Sequence, residues 1–503
     1  MTRPRLTRAE WFTLVVVLFV ALALRLFQLD RSELWFDEAF AALVAMEPAG
    51  VLVGELARDT SPPLYFLLLR GWLLLFAADP STLRSLSVVL GLLGVLAIFV
   101  AGQRLWGTYT GLASAALLAV SPLHVYYSRE VRPYALLILL ALMSLVALDA
   151  MTRDRRRRVL TAYCVVTSAA VWTHHYGWLL LVPLGIWVLA RRLDATRALE
   201  AVAIVVVAYL PWLSTLAGQV SSGASQWVER LWADTPPAMA PFLSLAAFSV
   251  GGSTPAYVPT GSDTLPAFEH GAAYVLFALL VLTALVRDQA GTARRLALTV
   301  VAMLAIPIAV SFVQPIFLVG RHDVLVLPFF LLLAGCGATL LSARQAAVAA
   351  VVAVALAAAA SSAYQTLPAT TMSLARAAVL LEHARPGDGV LATGFTRNGV
   401  EYLLRERGSA LSIFSFPTSF GTHRGWVDER ELADATFIRA DADQLVRTLG
   451  VTIGDGRLLW VLHTRELAAA NEVLFARLDR AFRQVRCPGD AEAHGITCWR
   501  RQP

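Results

Sequence analysis

Apolar positions in this chain gather in long uninterrupted runs, not in the stripes of a soluble amphipathic helix. The runs fall at 11–29, 83–102, 111–126, 133–151, 159–172, 177–190, 199–216, 268–286, 296–313, 324–341 and 345–364. A helix needs about 20 such residues to cross a hydrocarbon core of about 30 Å. The pattern therefore predicts a polytopic α-helical membrane protein with about 11 transmembrane helices. Two further segments, 62–77 and 241–250, would reach only about 24 Å and about 15 Å as helices. Both are expected to lie as juxtamembrane helices outside the bilayer, the first within the first outer loop.

Between the runs, arginines collect at Arg3, Arg5 and Arg8, at 153–158, at Arg191, Arg192 and Arg197, at Arg287, Arg294 and Arg295, and at Arg344. Basic residues are retained in short cytoplasmic loops. Placing all of these inside puts the N-terminus in the cytoplasm and makes 30–82 and 121–134 the first two outer loops. The N-terminus imitates a secretory signal, with Ala21-Leu22-Ala23 inside its apolar run. That run continues to Leu29 through Arg25, however, so a retained first span is expected.

The pattern changes after residue 366. From 367 to 503 no run is long enough to cross a bilayer, and short apolar segments at 389–393, 410–416 and 458–463 alternate with helical patterns at 399–407, 441–449 and 467–482. A C-terminal soluble α/β domain outside the membrane is expected, following a transmembrane module over 1–366. It lacks the usual glycine-rich phosphate loop.

Composition removes several chemistries. With 57% hydrophobic and 16% charged residues, the chain is not a soluble enzyme of this length. All its basic residues other than histidine are arginine, so a lysine nucleophile, a Schiff base or a P-loop lysine is excluded. The net charge of +6 follows from the cytoplasmic loops and calls for no nucleic-acid partner. Abundant Ala, Arg and Leu without Lys suggest a GC-rich bacterial genome, and hence the bacterial cytoplasmic membrane. Cys164 and Cys336 fall within spans and are expected to pack as small apolar groups. Cys487 and Cys498 lie in the outer tail and are expected to pair.

The chemistry-bearing residues gather on the outer side. Glu33-Leu34-Trp35-Phe36-Asp37-Glu38 follows the first span directly, setting paired carboxylates between aromatics at the membrane surface. A solvated acidic turn is the plain alternative, but carboxylates near lipid are costly unless paired or used. Asp59-Thr60-Ser61-Pro62-Pro63-Leu64-Tyr65 closes the same loop, and alone it reads as an ordinary helix start. The second outer loop, with His124, Tyr126, Tyr127, Arg129, Glu130, Arg132 and Tyr134, holds two guanidinium groups against the positive-inside tendency. They suit a phosphate, or else an internal pair with Glu130. His174-His175 and Gly320-Arg321-His322-Asp323 also map outside. The adjacent histidines point apart on a helix and lack further ligands at a metal-binding spacing.

In order, spacing and membrane side, four of these pieces resemble the C-type membrane glycosyltransferases, in the branch of the protein O-mannosyltransferases and the aminoarabinose transferase. They are Phe36-Asp37-Glu38, Ser61-Pro62-Pro63-Leu64-Tyr65, Tyr127-Ser128-Arg129-Glu130-Val131-Arg132-Pro133-Tyr134, and Arg321 near Pro328. The resemblance implies an inverting transfer of a sugar from a polyprenyl-phosphate donor to an acceptor hydroxyl on a glycan, lipid or protein, without metal or cofactor. Asp37 would be the general base, with Glu38 in support and Glu130 as a second acidic position. Relatives often carry Lys or His where Ser61 stands, so the donor phosphate would fall to Arg129, Arg132, Arg321 or His124. Asp59, Tyr65, Tyr127, His174 and His175 would line the substrate. A transporter or flippase of lipid-linked sugars is the alternative from another class.

Overall fold

The computed structural model describes residues 6–221, 226–233, 237–250, 267–342, 344, 372–426, 429–463 and 467–502. The expected span 345–364 lies outside them. Helix α1 (Arg8–Leu26) opens on a capping box between Thr7 and Glu10. A connection follows, built from α2 (Phe36–Met46), α3 (Ala49–Arg58) and α4 (Leu64–Leu73). Next come α5 (Pro80–Leu105), α6 (Thr108–Val120), the short α7 (Pro122–Tyr127), α8 (Tyr134–Arg153) and α9 (Arg157–Thr173). The helical part continues through α10 (Leu181–Leu189), α11 (Ala195–Ser221), α12 (Gln226–Ala233) and α13 (Ala240–Val250). It ends in α14 (Ala267–Arg287), α15 (Thr292–Ser311) and α16 (Leu327–Thr339).

Among the described residues, 6 helical stretches are long and apolar enough to cross a membrane: α1, α5, α8, α11, α15 and the run His322–Thr339 that ends in α16. Several other expected spans are shorter than their apolar runs. The run at 111–126 breaks where Pro122 starts α7, leaving α6 with 13 residues. The run at 177–190 begins in a 3-10 turn, His175–Leu180, before α10. The two segments expected beside the membrane form helices α4 and α13 of 10 and 11 residues.

The early end of α6 answers a second question, that of a charged residue inside a span. Arg25 is fully buried, a costly position without acceptors. Its Nη1 donates to Ala119 O at 3.0 Å, in the last turn of α6, and its Nη2 to His124 Nδ1 at 2.7 Å. The carbonyl end of a helix favours a cation there. α5 and α6 also cross closely, since a Cβ on Gly102 would stand 2.9 Å from Gly111 Cα.

Beyond residue 371 the chain forms a five-stranded sheet in the order β2-β1-β3-β5-β4. Its strands are β1 (Gly389–Thr393), β2 (Ser412–Phe416), β3 (Leu458–Leu462), β4 (Phe482–Val485) and β5 (Ile496–Arg501). β1 runs parallel to β2 and β3, whereas β5 is antiparallel to β3 and β4. Leu391, Leu459 and Val461 pack into one apolar cluster, and Val390, Trp460 and Leu462 into another on the opposite face. Helices α17 (Met372–His383), α18 (Thr396–Glu406), α19 (Ala435–Thr452) and α20 (Ala468–Leu478) accompany it, with one short helical turn at Glu429–Ala433. Cys487 and Cys498 form a disulfide with their Cα atoms 5.2 Å apart. Cys164 and Cys336 are free and buried.

This C-terminal part sits against the α1–α5 connection. α18 packs on α2, and Arg405 Nη1 meets Glu47 Oε1 at 2.7 Å. Trp426 Nε1 donates to Arg58 O at 3.0 Å, and Leu374 N to Glu33 Oε2 at 3.0 Å.

Candidate active site

The two adjacent carboxylates at the start of α2 point in different directions, as neighbours on a helix must. Glu38, at the third helical position, accepts from Trp35 N–H at 3.4 Å and closes the helix start. Its side chain is 1% exposed and holds Arg84 through two parallel bonds, Nε to Oε1 at 2.9 Å and Nη2 to Oε2 at 2.6 Å. Glu38 Oε1 also accepts from Val131 N–H at 3.0 Å. Arg84 spends further donors on Leu29 O at 2.8 Å and Ser32 O at 2.9 Å. Glu38 therefore ties the end of α1, the top of α5 and the α7–α8 connection together. Both of its oxygens are committed to protein donors, so Glu38 holds in place the segment that carries Asp37. Arg84 was missed by the sequence reading, although an arginine in the first turns of a span was the available signal.

Asp37 faces the other way, with its side chain 16% exposed. Its Oδ2 contacts Arg321 Nη2, and Arg132 Nη2 lies at 3.7 Å. Burial alone would raise this carboxyl, but Arg132 and Arg321 outweigh it and hold Asp37 below the ordinary carboxylate range. Arg321 is itself fixed, its Nε donating to Tyr134 OH at 2.8 Å. The guanidinium lies 5.7 Å from the Trp35 ring and 5.1 Å from the Trp227 ring. Arg132 is less committed: its Nε is buried and has no partner among the described residues.

The remaining expected residues divide into two groups. Asp59 lies near the pair, raised by burial with Arg132 opposing, and Gly425 packs so tightly on it that any side chain there would strike the carboxylate. Tyr127 donates to Gly320 O at 2.6 Å and so positions the residue before Arg321. His174 belongs to the same neighbourhood, its ring 5.9 Å from those of Tyr134 and His322. His175 turns away to Gln219 Oε1 at 3.2 Å and Tyr209 OH at 3.1 Å. Tyr65 is fully buried beside Ser87 at 3.3 Å.

Two residues expected at a phosphate are engaged elsewhere. Arg129 donates to Phe27 O at 2.7 Å and Gln28 O at 3.1 Å, just past the end of α1. His124 is fully buried, with Nδ1 turned to Arg25; burial and then Arg25 hold it well below the usual histidine range, so it stays neutral. Among the described residues, no three His, Cys, Asp or Glu side chains converge as a metal set.

Glu130 is 5% exposed and accepts from Tyr126 OH. Burial, and next the Glu38 carboxylate, push its acid up from 4.5 to about 8. The folded chain thus holds a proton that the unfolded chain has already released. The stability Glu130 contributes is complete below about 4.5 and is lost as pH rises through about 8. We expect the melting temperature to fall over that window and Glu130→Gln to flatten the fall. An unchanged slope in the Gln variant removes Glu130 from this role.

Residues 60–215 match the family model described as dolichyl-phosphate-mannose-protein mannosyltransferase. Searched by sequence against curated proteins, the chain gives no match. Among solved structures, it is similar to ArnT from Cupriavidus metallidurans bound to undecaprenyl phosphate, at 13% identity and TM-score 0.62, covering 98% of each chain. It also resembles the Archaeoglobus fulgidus oligosaccharyltransferase tethered with an acceptor peptide, at 12% identity and TM-score 0.55, covering 99% of this chain and 74% of that one. This chain is a multi-pass membrane protein with the C-type membrane glycosyltransferase fold.

Proposed function

We propose that the protein transfers a sugar from a polyprenyl-phosphate donor to an acceptor hydroxyl at the outer face of the bacterial cytoplasmic membrane. The observation behind this reading is the Asp37 carboxylate set between Arg321 and Arg132 at the start of α2. Asp37 takes the acceptor proton as the new bond forms to the anomeric carbon. The bond from that carbon to the phosphate oxygen breaks on the opposite side, with inversion. Arg321 and Arg132 receive the charge that develops on the leaving phosphate. The fit to ArnT supports a lipid-phosphate donor, since that structure is described with undecaprenyl phosphate bound.

Arg321 cannot serve two anions equally. A donor phosphate that draws its donors away from Asp37 loosens the ion pair that keeps Asp37 a weak base. Donor arrival and base strength are coupled in this scheme, and donor binding precedes acceptor activation. Arg321→Ala and Arg132→Ala are each expected to weaken polyprenyl-phosphate binding about tenfold or more. Equilibrium titration of the purified variants reads this directly, and unchanged affinity in both moves the phosphate site elsewhere.

The reaction itself is tested with a panel of radiolabelled polyprenyl-phosphate sugars, purified protein and a membrane extract as acceptor. Label passing from carrier to acceptor supports the reading. Carrier movement across reconstituted vesicles, with no transfer from any donor, replaces it with a flippase.

A further inference from the structure

Away from Asp37, the C-terminal part contains a cavity of about 200 Å³ lined by Arg397, Glu401, Arg405 and Arg424 with Ser409 and Leu411. We infer that this cavity binds a single anionic sugar, carrying a phosphate or carboxylate. If the proposed transfer holds, that sugar is part of the acceptor.

The charges do not close among themselves. Glu401 is nearly buried, its side chain 3% exposed, and is shared by three guanidinium groups: Arg397 at 2.8 Å, Arg405 at 2.9 Å and Arg424 at 3.6 Å. Glu47, at the far end of α2, takes Arg405 at 2.7 Å and Arg424 only at 3.9 Å. Arg424 therefore reaches both carboxylates at distances beyond a good hydrogen bond. Its Nε is buried with no partner among the described residues. A guanidinium only 14% exposed, with an idle Nε donor, is costly unless an anion completes it. Its planar fork suits a phosphate or carboxylate.

Its position is fixed independently of any ligand. Asn398 Nδ2 donates to Arg424 O at 3.0 Å. Trp426 is held to Arg58 O, and His423 stacks on the Trp426 ring at 4.2 Å. The volume is that of several waters, each taking about 30 Å³ in the liquid, and below the ~300 Å³ at which pockets for drug-sized ligands begin. That space suits one charged sugar unit and not a whole lipid. Glu47 terminates the helix whose first turn holds Asp37, so the cavity and that carboxylate stand at opposite ends of α2.

The test is calorimetric titration of the full-length protein in detergent with glucose 6-phosphate, glucuronate, glucose and inorganic phosphate at matched ionic strength. At least one of the two anionic sugars is expected to bind more tightly than glucose or inorganic phosphate, and which of the two binds tells phosphate from carboxylate. Arg424→Gln should weaken that binding about tenfold or more. Ser409→Trp should block it by filling the space while leaving every charge in place. Arg132→Ala should leave it unchanged, which separates this site from the one at Asp37. Glucose or phosphate binding as tightly as both sugar anions, no binding at all, or binding that survives both cavity variants overturns the inference. Each of these outcomes stands whether or not transfer is observed.

Discussion

Asp37→Asn is expected to lower sugar transfer by about 10³-fold or more while leaving donor binding intact, because a positioned general base contributes about 10²–10⁴. Asparagine keeps the shape and can still accept from Arg321, so the helix start and the arginine pair should survive. It cannot take a proton from the acceptor. Donor affinity should stay level or rise, since Arg321 no longer has a competing carboxylate beside it. Single-turnover transfer and donor titration on the same preparation separate the two effects. Transfer at the wild-type rate excludes Asp37 as the base, and loss of donor binding in parallel with transfer makes it a binding residue instead.

The second large effect is expected on stability. Arg84→Leu leaves Glu38 buried with an unpaired charge and frees the carbonyls of Leu29 and Ser32. Breaking a buried pair from one side costs about 3–5 kcal/mol. Arg84→Lys should recover little of it, since an ammonium cannot reproduce two parallel bonds to Glu38 and further bonds to carbonyls. The double variant Arg84→Leu, Glu38→Leu should be more stable than Arg84→Leu alone, because no isolated charge remains. Denaturation of the purified variants in detergent measures this. Equal losses for the single and double variants mean that the pair is not the source of the effect.

The sequence made the membrane character legible because transmembrane helices advertise themselves by length and apolarity, whatever they pack against. It was weaker where a run contained a break. Ser121-Pro122 splits one apparent span into α6 and α7, and nothing in hydropathy distinguishes that from continuous helix. In the C-terminal part the buried strands at 389–393 and 458–462 were visible as apolar runs. β4 and β5 were not, because each is short and includes exposed arginine.

The candidate site was legible as a set of residues but not as a division of labour. Asp37 and Glu38 look alike in the sequence, and only the helix rotation between them sends one to Arg321 and the other to Arg84. Arg129 and Arg132 likewise share one loop. The first turns to the end of α1, the second to Asp37. The arginine-lined cavity was invisible because Arg397, Arg405 and Arg424 meet only through the fold.

Since Glu38 fastens the segment before α2, the top of α5 and the backbone at Val131 to one another, the stretches that supply Asp37 and Arg132 form one rigid jaw. The backbone spacing between the stretches that carry this acid and this arginine is settled when the chain folds.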